Sequence, residues 1–141
     1  GIDMQRVMLA EESTYSLLSH AHAALVTSGT ATLETALFRV PQVVCYYMRM
    51  GWFISLLRPL FLKVPYISLV NLIAEREAVP ELVASQMNVK ELHRQLERIL
   101  PLKSVDRKEQ LESYDLVARR LGSAGAPERA AHEMLTILSN K

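Results

Sequence analysis

The most constraining feature of this chain is an apolar run that leads directly into a glycine-centred turn and a helix start. Residues 23–26 read Ala-Ala-Leu-Val, and residues 27–34 read Thr-Ser-Gly-Thr-Ala-Thr-Leu-Glu. The apolar run predicts a buried strand, and residues 30–38 predict a helix that ends before Pro41. A strand followed by a turn and a helix start is typical of an anion site, because the first helical turn has unpaired N–H groups.

This turn carries polar groups suited to a nucleoside diphosphate. We expect Gly29 to allow the tight turn. The expected phosphate contacts are the hydroxyls and backbone N–H groups of Ser28, Gly29, Thr30, Ala31 and Thr32. Glu34 has the wrong charge for phosphate, but its carboxylate can accept hydrogen bonds from the paired hydroxyls of a ribose. The same pattern is also typical of an ordinary helix cap, and the turn alone does not decide between the two.

The composition excludes several classes of function. A chain of 141 residues with a formal net charge of +1 suits a single domain and gives no nucleic-acid footprint. The single Cys45 excludes an internal disulfide and lies in an apolar run, where a buried thiol is expected. The histidines are scattered, so we expect no metal site. The chain does not start with methionine, which suggests a piece excised from a longer protein.

A second feature is a basic and apolar window. Residues 35–74 contain no Asp or Glu, and residues 50–63 within them are apolar, aromatic and basic. This stretch is too short to span a bilayer, which needs about 20 apolar residues. Its composition favours contact with an anionic membrane surface. The candidate contacts are Trp52, Phe53, Arg58 and Lys63. A buried core helix with snorkelling basic side chains is the alternative.

The alternation of strands and helices predicts an α/β fold with a parallel sheet. The predicted strands are 23–27, 42–47 and 66–70. The predicted helices are 12–21, 30–38, 52–62, 80–85, 89–100, 105–121 and 128–138. We expect residues 1–122 to form a partial Rossmann-like domain. Residues 123–141 would add a helix on a Gly/Ala joint.

Three blocks of sequence resemble the lipid-A-disaccharide synthase family. They are residues 24–34, residues 40–44 (Val-Pro-Gln-Val-Val) and residues 64–82 (Val-Pro-Tyr-Ile-Ser-Leu-Val-Asn-Leu-Ile-Ala-Glu-Arg-Glu-Ala-Val-Pro-Glu-Leu). Their order and spacing carry the resemblance, which covers residues 15–100 well and the C-terminal helices loosely. Residues 46–50 are bulkier than the turn expected of the family.

The resemblance implies a GT-B glycosyltransferase, which has two Rossmann-like domains and an active site in the cleft between them. This chain would be the second half of the C-terminal, UDP-binding domain, and the N-terminal domain would be missing. The implied reaction transfers diacylglucosamine from its UDP donor to a lipid acceptor, diacylglucosamine 1-phosphate. No metal and no cofactor are implied. We expect a cytoplasmic enzyme that is peripheral on the inner membrane.

The resemblance also implies roles for particular residues. Glu34 would bind the ribose, and Asn71, at the end of the predicted strand 66–70, would contact the donor diphosphate or sugar. Arg76 and Glu77 follow in the same block and are further candidates, with a surface ion pair as the alternative. Catalytic residues are expected outside this chain, so we expect the chain alone to be inactive.

Two further expectations concern partners and alternatives. The apolar face of the last helix would meet the missing domain, and in its absence we expect self-association through this helix. Two other functions remain open on the sequence. One is a transferase that uses another UDP-sugar. The other is a non-catalytic α/β nucleotide-binding module.

Overall fold

The computed structural model describes residues 7–8, 10, 13–27, 29–46, 66–122 and 125–139. Within these residues the strands are β1 (Ala24–Val26), β2 (Gln42–Tyr46) and β3 (Glu81–Val83). The helices are α1 (Thr14–His20), α2 (Gly29–Leu37), α3 (Leu69–Ala74), α4 (Val89–Ile99), α5 (Val105–Leu121) and α6 (Ala126–Ser139). A 3₁₀ turn, Ala84–Gln86, follows β3. The bounds of α2, β2, α4 and α5 confirm the predicted elements to within a residue.

The three strands form one parallel sheet in the order β1-β2-β3. Leu25 pairs with Val43, and Cys45 pairs with Leu82. The central strand β2 is apolar and buried on both faces, as the uninterrupted run in its sequence predicts. The structure therefore confirms the α/β class and the partial Rossmann-like sheet.

Alternate side chains of β2 hold helices on the two faces of the sheet. Val44 packs against α2, α3 and α5, in a cluster that includes Val70, Tyr114 and Val117. Val43 and Cys45, which are two residues apart, face the other side of the sheet, where their cluster includes Ile99 of α4. Each such buried aliphatic side chain stabilises the fold by about 1.5–3 kcal/mol. The chain is thus a three-layer α/β/α arrangement around one short sheet.

A buried polar network fixes α2 and α5 to the sheet. The side-chain amide of Gln42 donates to the carbonyl of Thr32 at 2.9 Å, and the backbone N–H of Gln42 donates to the Gln110 side chain at 3.0 Å. The Tyr114 hydroxyl donates to the carbonyl of Val40 at 3.2 Å. Burial raises the pKa of Tyr114 well above its ordinary value, so this hydroxyl stays protonated. The network fixes the position of α2 relative to β2.

Two predicted elements are wrong. The predicted strand 66–70 is absent: residues 66–68 precede α3 and residues 69–70 begin it, because the Ser68 hydroxyl accepts the N–H of Asn71 at 3.3 Å and caps the helix. Val70 and Ala74, four residues apart, then share the buried face. The predicted helix 80–85 is instead β3, because its backbone pairs with β2 and only the middle residue, Leu82, is buried.

The last helix, α6, is exposed along its described length. The exposed fractions of Met134, Leu135 and Leu138 are 65%, 66% and 70%. The predicted helix 52–62 lies outside the described residues. Among the helices of the described part of the chain, none is long and apolar enough to cross a membrane.

Candidate functional site

The carboxyl edge of the sheet is formed where β1 ends and α2 begins. Thr27 is exposed there, and Gly29 is the first residue of α2. Ligands of open α/β sheets bind at this edge. The N-terminus of α2, a helix of nine residues, lies here, and the helix dipole gives that end a partial positive charge. The start of α2 therefore lies at the edge where the sequence predicts an anion site, and the binding of an anion there stays a prediction.

The role of Gly29 differs from the expectation. The backbone φ of Gly29 is not positive. Among the described residues, the glycines that have a positive φ are Gly122 and Gly125. Within the same part of the chain, no atom lies within 4 Å of where a Cβ atom would stand at Gly29. Neither the backbone conformation nor crowding by these residues therefore requires glycine at position 29.

The predicted hydroxyls fall into different environments. Thr30 is exposed at the first turn of α2. Thr32 is fully buried, and its hydroxyl donates to the carbonyl of Gly29 at 2.5 Å. Ala31 is half-buried and its carbonyl accepts the Thr35 hydroxyl at 2.7 Å. Ser28 lies outside the described residues. Thr30 and the backbone around it are thus the accessible part of the predicted phosphate site.

Glu34 lies on the outer side of α2, where α1 approaches. Its side chain is half-buried, and its carboxylate accepts a hydrogen bond from the Tyr15 hydroxyl at 3.4 Å. The ring of Tyr15 stacks on that of Phe38, with centroids 5.5 Å apart and planes 18° apart. The sequence did not predict this contact, because Tyr15 and Glu34 are 19 residues apart.

Asn71 is fully buried and is hydrogen-bonded on all sides by the protein itself. Its amide nitrogen donates to the carbonyl of Val79 and to the Glu81 carboxylate, both at 2.8 Å. Its oxygen accepts the N–H groups of Ala78 and Val79 at 2.8 and 2.9 Å. The assigned contact with the donor stays a prediction, and it would require some of these bonds to open.

Glu81 completes this network, and sequence reasoning missed it. Its carboxylate accepts the N–H groups of Ile67 and Ser68, both at 2.9 Å, and the Ser68 hydroxyl at 2.7 Å. The Asn71 amide is a further donor. Glu81 stands in the third sequence block, but no periodicity in that block distinguishes a carboxylate that serves the fold from one that serves a ligand.

Tyr46 at the carboxyl end of β2 is a further residue that the sequence did not single out. Its hydroxyl is buried and has no hydrogen-bond partner among the described residues. Burial, and then the negative charge of Glu81, raise the pKa of Tyr46.

Burial also raises the pKa of the Cys45 thiol, which agrees with its predicted role as a buried apolar residue. In the described part of the chain, no three His, Cys, Asp or Glu side chains are grouped to hold a metal ion.

Arg76 and Glu77 lie in a different place. They line a cleft of about 530 Å³ between the loop before β3, the end of α4 and the first half of α5. Arg76 donates to the Ser113 hydroxyl at 2.9 Å. Because this loop precedes β3, the cleft lies at the amino edge of the sheet, away from the start of α2. The structure thus does not bring Arg76 and Glu77 together with Thr30 and Glu34.

The four candidate membrane contacts lie outside the described residues. Trp52, Phe53, Arg58 and Lys63 are all in the segment 47–65, together with most of the bulky turn 46–50. Their assignment to a membrane surface therefore stays a prediction.

Comparison with known proteins decides the family. Residues 2–134 match the sequence profile described as lipid-A-disaccharide synthetase. This chain belongs to the lipid-A-disaccharide synthetase family. It is 36% identical over 137 residues to a lipid-A-disaccharide synthase of Solibacter usitatus, which covers 96% of the chain and 35% of the relative. It is 35% identical over 131 residues to a synthase of Myxococcus xanthus, which covers 93% of the chain and 33% of the relative.

A third relative agrees with these two. The lipid-A-disaccharide synthase of Anaeromyxobacter dehalogenans is 33% identical over 132 residues, which is 94% of the chain and 34% of the relative. The chain thus spans about a third of the length of the curated relatives that it matches. The family resemblance carried by the three sequence blocks is confirmed.

Proposed function

We propose that this chain is the donor-binding part of a lipid-A-disaccharide synthase. The proposed enzyme transfers diacylglucosamine from UDP to diacylglucosamine 1-phosphate. The observation that carries the proposal is the start of α2 at the carboxyl edge of the sheet, with an exposed Thr30. The family membership of the chain supports the same reaction.

The proposed site divides the donor between two parts of α2. The diphosphate lies against the N–H groups of the first turn and the Thr30 hydroxyl, where the helix dipole favours negative charge. Glu34 follows Thr30 by four residues in α2, and its carboxylate accepts the ribose hydroxyls. This arrangement fits a nucleoside diphosphate better than a free phosphate, because a carboxylate near the anion site would otherwise repel the ligand.

The same groups serve the chemistry of transfer. As the bond between the sugar and the diphosphate breaks, negative charge grows on the departing UDP. The fixed N–H groups of α2 stabilise that charge more in the transition state than in the bound donor, which lowers the barrier. No residue of this chain is assigned as the catalytic base. We propose that the base belongs to the other domain, and that the chain alone does not transfer sugar.

A chimera tests this proposal. This chain replaces the matching third of the Myxococcus xanthus relative, and disaccharide formation is measured with a UDP-diacylglucosamine donor. We expect Glu34→Gln to raise the KM for the donor about ten- to a hundredfold, because one charge-assisted acceptor becomes an amide. Glu109→Gln, at the amino-edge cleft, is the matched control and should leave the KM unchanged. Equal KM values in both variants would remove Glu34 from the donor site.

We also propose that the enzyme works as a peripheral protein on the cytoplasmic face of the inner membrane, with Trp52 and Phe53 in contact with anionic lipid. Replacing both by Ser should reduce binding to anionic liposomes and leave the melting temperature nearly unchanged. A large loss of stability without any change in liposome binding would instead identify a core segment.

The exposed apolar face of α6 is the proposed site of self-association of this chain. Exposed apolar stripes of this kind promote association. Light scattering of the chain, with and without residues 123–141, should show a larger species only when α6 is present. A monomer at high concentration in both cases would exclude this role.

A further inference from the structure

Tyr15 contacts two residues four apart in the chain, Glu34 of α2 and Phe38, which directly follows that helix. Its ring stacks on Phe38, and its hydroxyl reaches a carboxylate oxygen of Glu34 at 3.4 Å. Phe38 follows Glu34 by four residues, and its N–H donates to the Glu34 carbonyl at 3.0 Å. The side chain of Tyr15 thus packs on Phe38 with its ring and contacts the Glu34 carboxylate with its hydroxyl.

Different parts of the Tyr15 side chain make the two contacts: the ring packs on Phe38, and the hydroxyl contacts Glu34. An offset aromatic pair is stabilised beyond the area that it buries, and this stabilisation favours one position of the Tyr15 ring. A half-exposed glutamate has several rotamers, and holding it in one of them otherwise costs binding energy when a ligand arrives. A tyrosine hydroxyl donates to one carboxylate oxygen and leaves the remaining lone pairs of that carboxylate available.

We propose that Tyr15 is a positioning residue that sets the preference of the site for ribose over 2′-deoxyribose. This inference rests on the proposed function, in which Glu34 binds the ribose. With the Glu34 carboxylate held by Tyr15, its oxygens face the two ribose hydroxyls together. A nucleotide that lacks the 2′-hydroxyl leaves one oxygen of the Glu34 carboxylate without a donor. Holding the carboxylate in place then adds nothing to the affinity for that nucleotide. Tyr15 therefore acts on the ligand through Glu34 and not by direct contact.

The test measures dissociation constants of UDP and 2′-deoxy-UDP for this chain by chemical-shift titration. We expect the unaltered chain to prefer UDP about tenfold, the effect of one hydrogen bond to a charged group. Tyr15→Phe keeps the stacked ring and loses the hydroxyl, and should reduce the preference to about twofold to threefold. Glu34→Gln should remove most of the preference, and adding Tyr15→Phe to it should change nothing further.

Each result has a distinct meaning. If Glu34→Gln loses the preference while Tyr15→Phe keeps it, the role of Tyr15 is overturned and the proposed function stands. If Glu34→Gln keeps the preference, or if neither nucleotide binds, the donor site itself is overturned, and the role of Tyr15 with it. Phe38→Leu keeps the hydroxyl but weakens the stack, and an intermediate preference is expected. A pure stability effect would weaken UDP and 2′-deoxy-UDP equally and would contradict the inference.

Discussion

The start of α2 and the segment from Ser68 to Glu81 are both rich in polar residues, and both belong to the sequence blocks of the family. Around α2, Thr30 is exposed and Glu34 is half-buried. Between Ser68 and Glu81, residues 75–77 are exposed, but Ser68 and Asn71 are fully buried, and the Asn71 side chain makes four hydrogen bonds to its own chain. The first region is the proposed ligand site, whereas the buried hydrogen bonds of the second region hold the fold together.

The hydrogen bonds of Asn71 and Glu81 show that polar residues of a family motif can have a role in the fold itself. Asn71 and Glu81 join the start of α3 to the loop before β3, and this loop enters the sheet directly. Their hydrogen bonds fix α3 to the loop that leads into β3. Residues of this second kind affect activity through position, so kinetic loss alone does not identify them.

The largest expected effect comes from Asn71→Ala. The substitution leaves the N–H groups of Ala78 and Val79 and the carbonyl of Val79 without their partner in a buried site. Each buried unsatisfied group costs about 1–3 kcal/mol, so we expect a loss of about 3 kcal/mol or more in the free energy of unfolding. Urea denaturation measures this loss.

Asn88→Ala is the matched control for that variant. Asn88 caps α4 by accepting the N–H of Glu91 at 2.9 Å, and removal of such a cap costs about 1 kcal/mol. If the two variants lost equal stability, Asn71 would be no more than a local cap, and the contrast between the two regions would fail.

A smaller effect compares the two glutamates directly. Glu81→Gln keeps the shape of the side chain but turns a donating amide toward N–H groups that need an acceptor, so we expect a loss of about 1–3 kcal/mol in the free energy of unfolding. Glu34→Gln should change this free energy by less than about 0.5 kcal/mol, because its carboxylate faces outward. Thermal unfolding of both variants gives the comparison, and a larger loss for Glu34→Gln would reverse it.

The smallest effect concerns Glu91, a partly exposed carboxylate of α4. Hydrogen bonds from Arg94 and Gln95 lower its pKa to about 2 from its ordinary value of 4.5. Because the folded-state pKa is the lower one, the stabilisation is present above pH 4.5 and is lost as the pH falls toward 2. The stability difference between the chain and Glu91→Gln should shrink over this range, as followed by acid titration at fixed urea. A difference that stays constant with pH would exclude this ion pair as its source.

The sequence predicted the elements that long periodic patterns define. The strand at residues 42–46 is an unbroken apolar run, and α4 and α5 have clear caps at Asn88 and Ser104, whose side chains accept the N–H groups of Glu91 and Arg107. The strand and the helix on either side of residues 27–28, β1 and α2, were also predicted correctly. These features depend on residues that are close together in the chain, so the sequence alone is enough to predict them.

The short elements around Asn71 could not be predicted in the same way. Residues 66–70 and 81–83 are each compatible with helix or strand, and pairing with β2 and the capping bond of Ser68 decide between them. The roles of Glu81 and Tyr15 depend on partners 10 to 19 residues away. Such contacts follow from the packing of α1 and α3 and have no periodic signal in the chain.

The most direct test of the central claim is a chemical-shift map of UDP on this chain. If the account is right, the backbone amide signals that move furthest belong to residues 29–34 and to their neighbours on α1. The signals of Ala78 and Val79, held by Asn71, should hardly move. The largest shifts at Arg76, Arg98 and Glu109 would instead place the nucleotide in the amino-edge cleft and would contradict the proposed site.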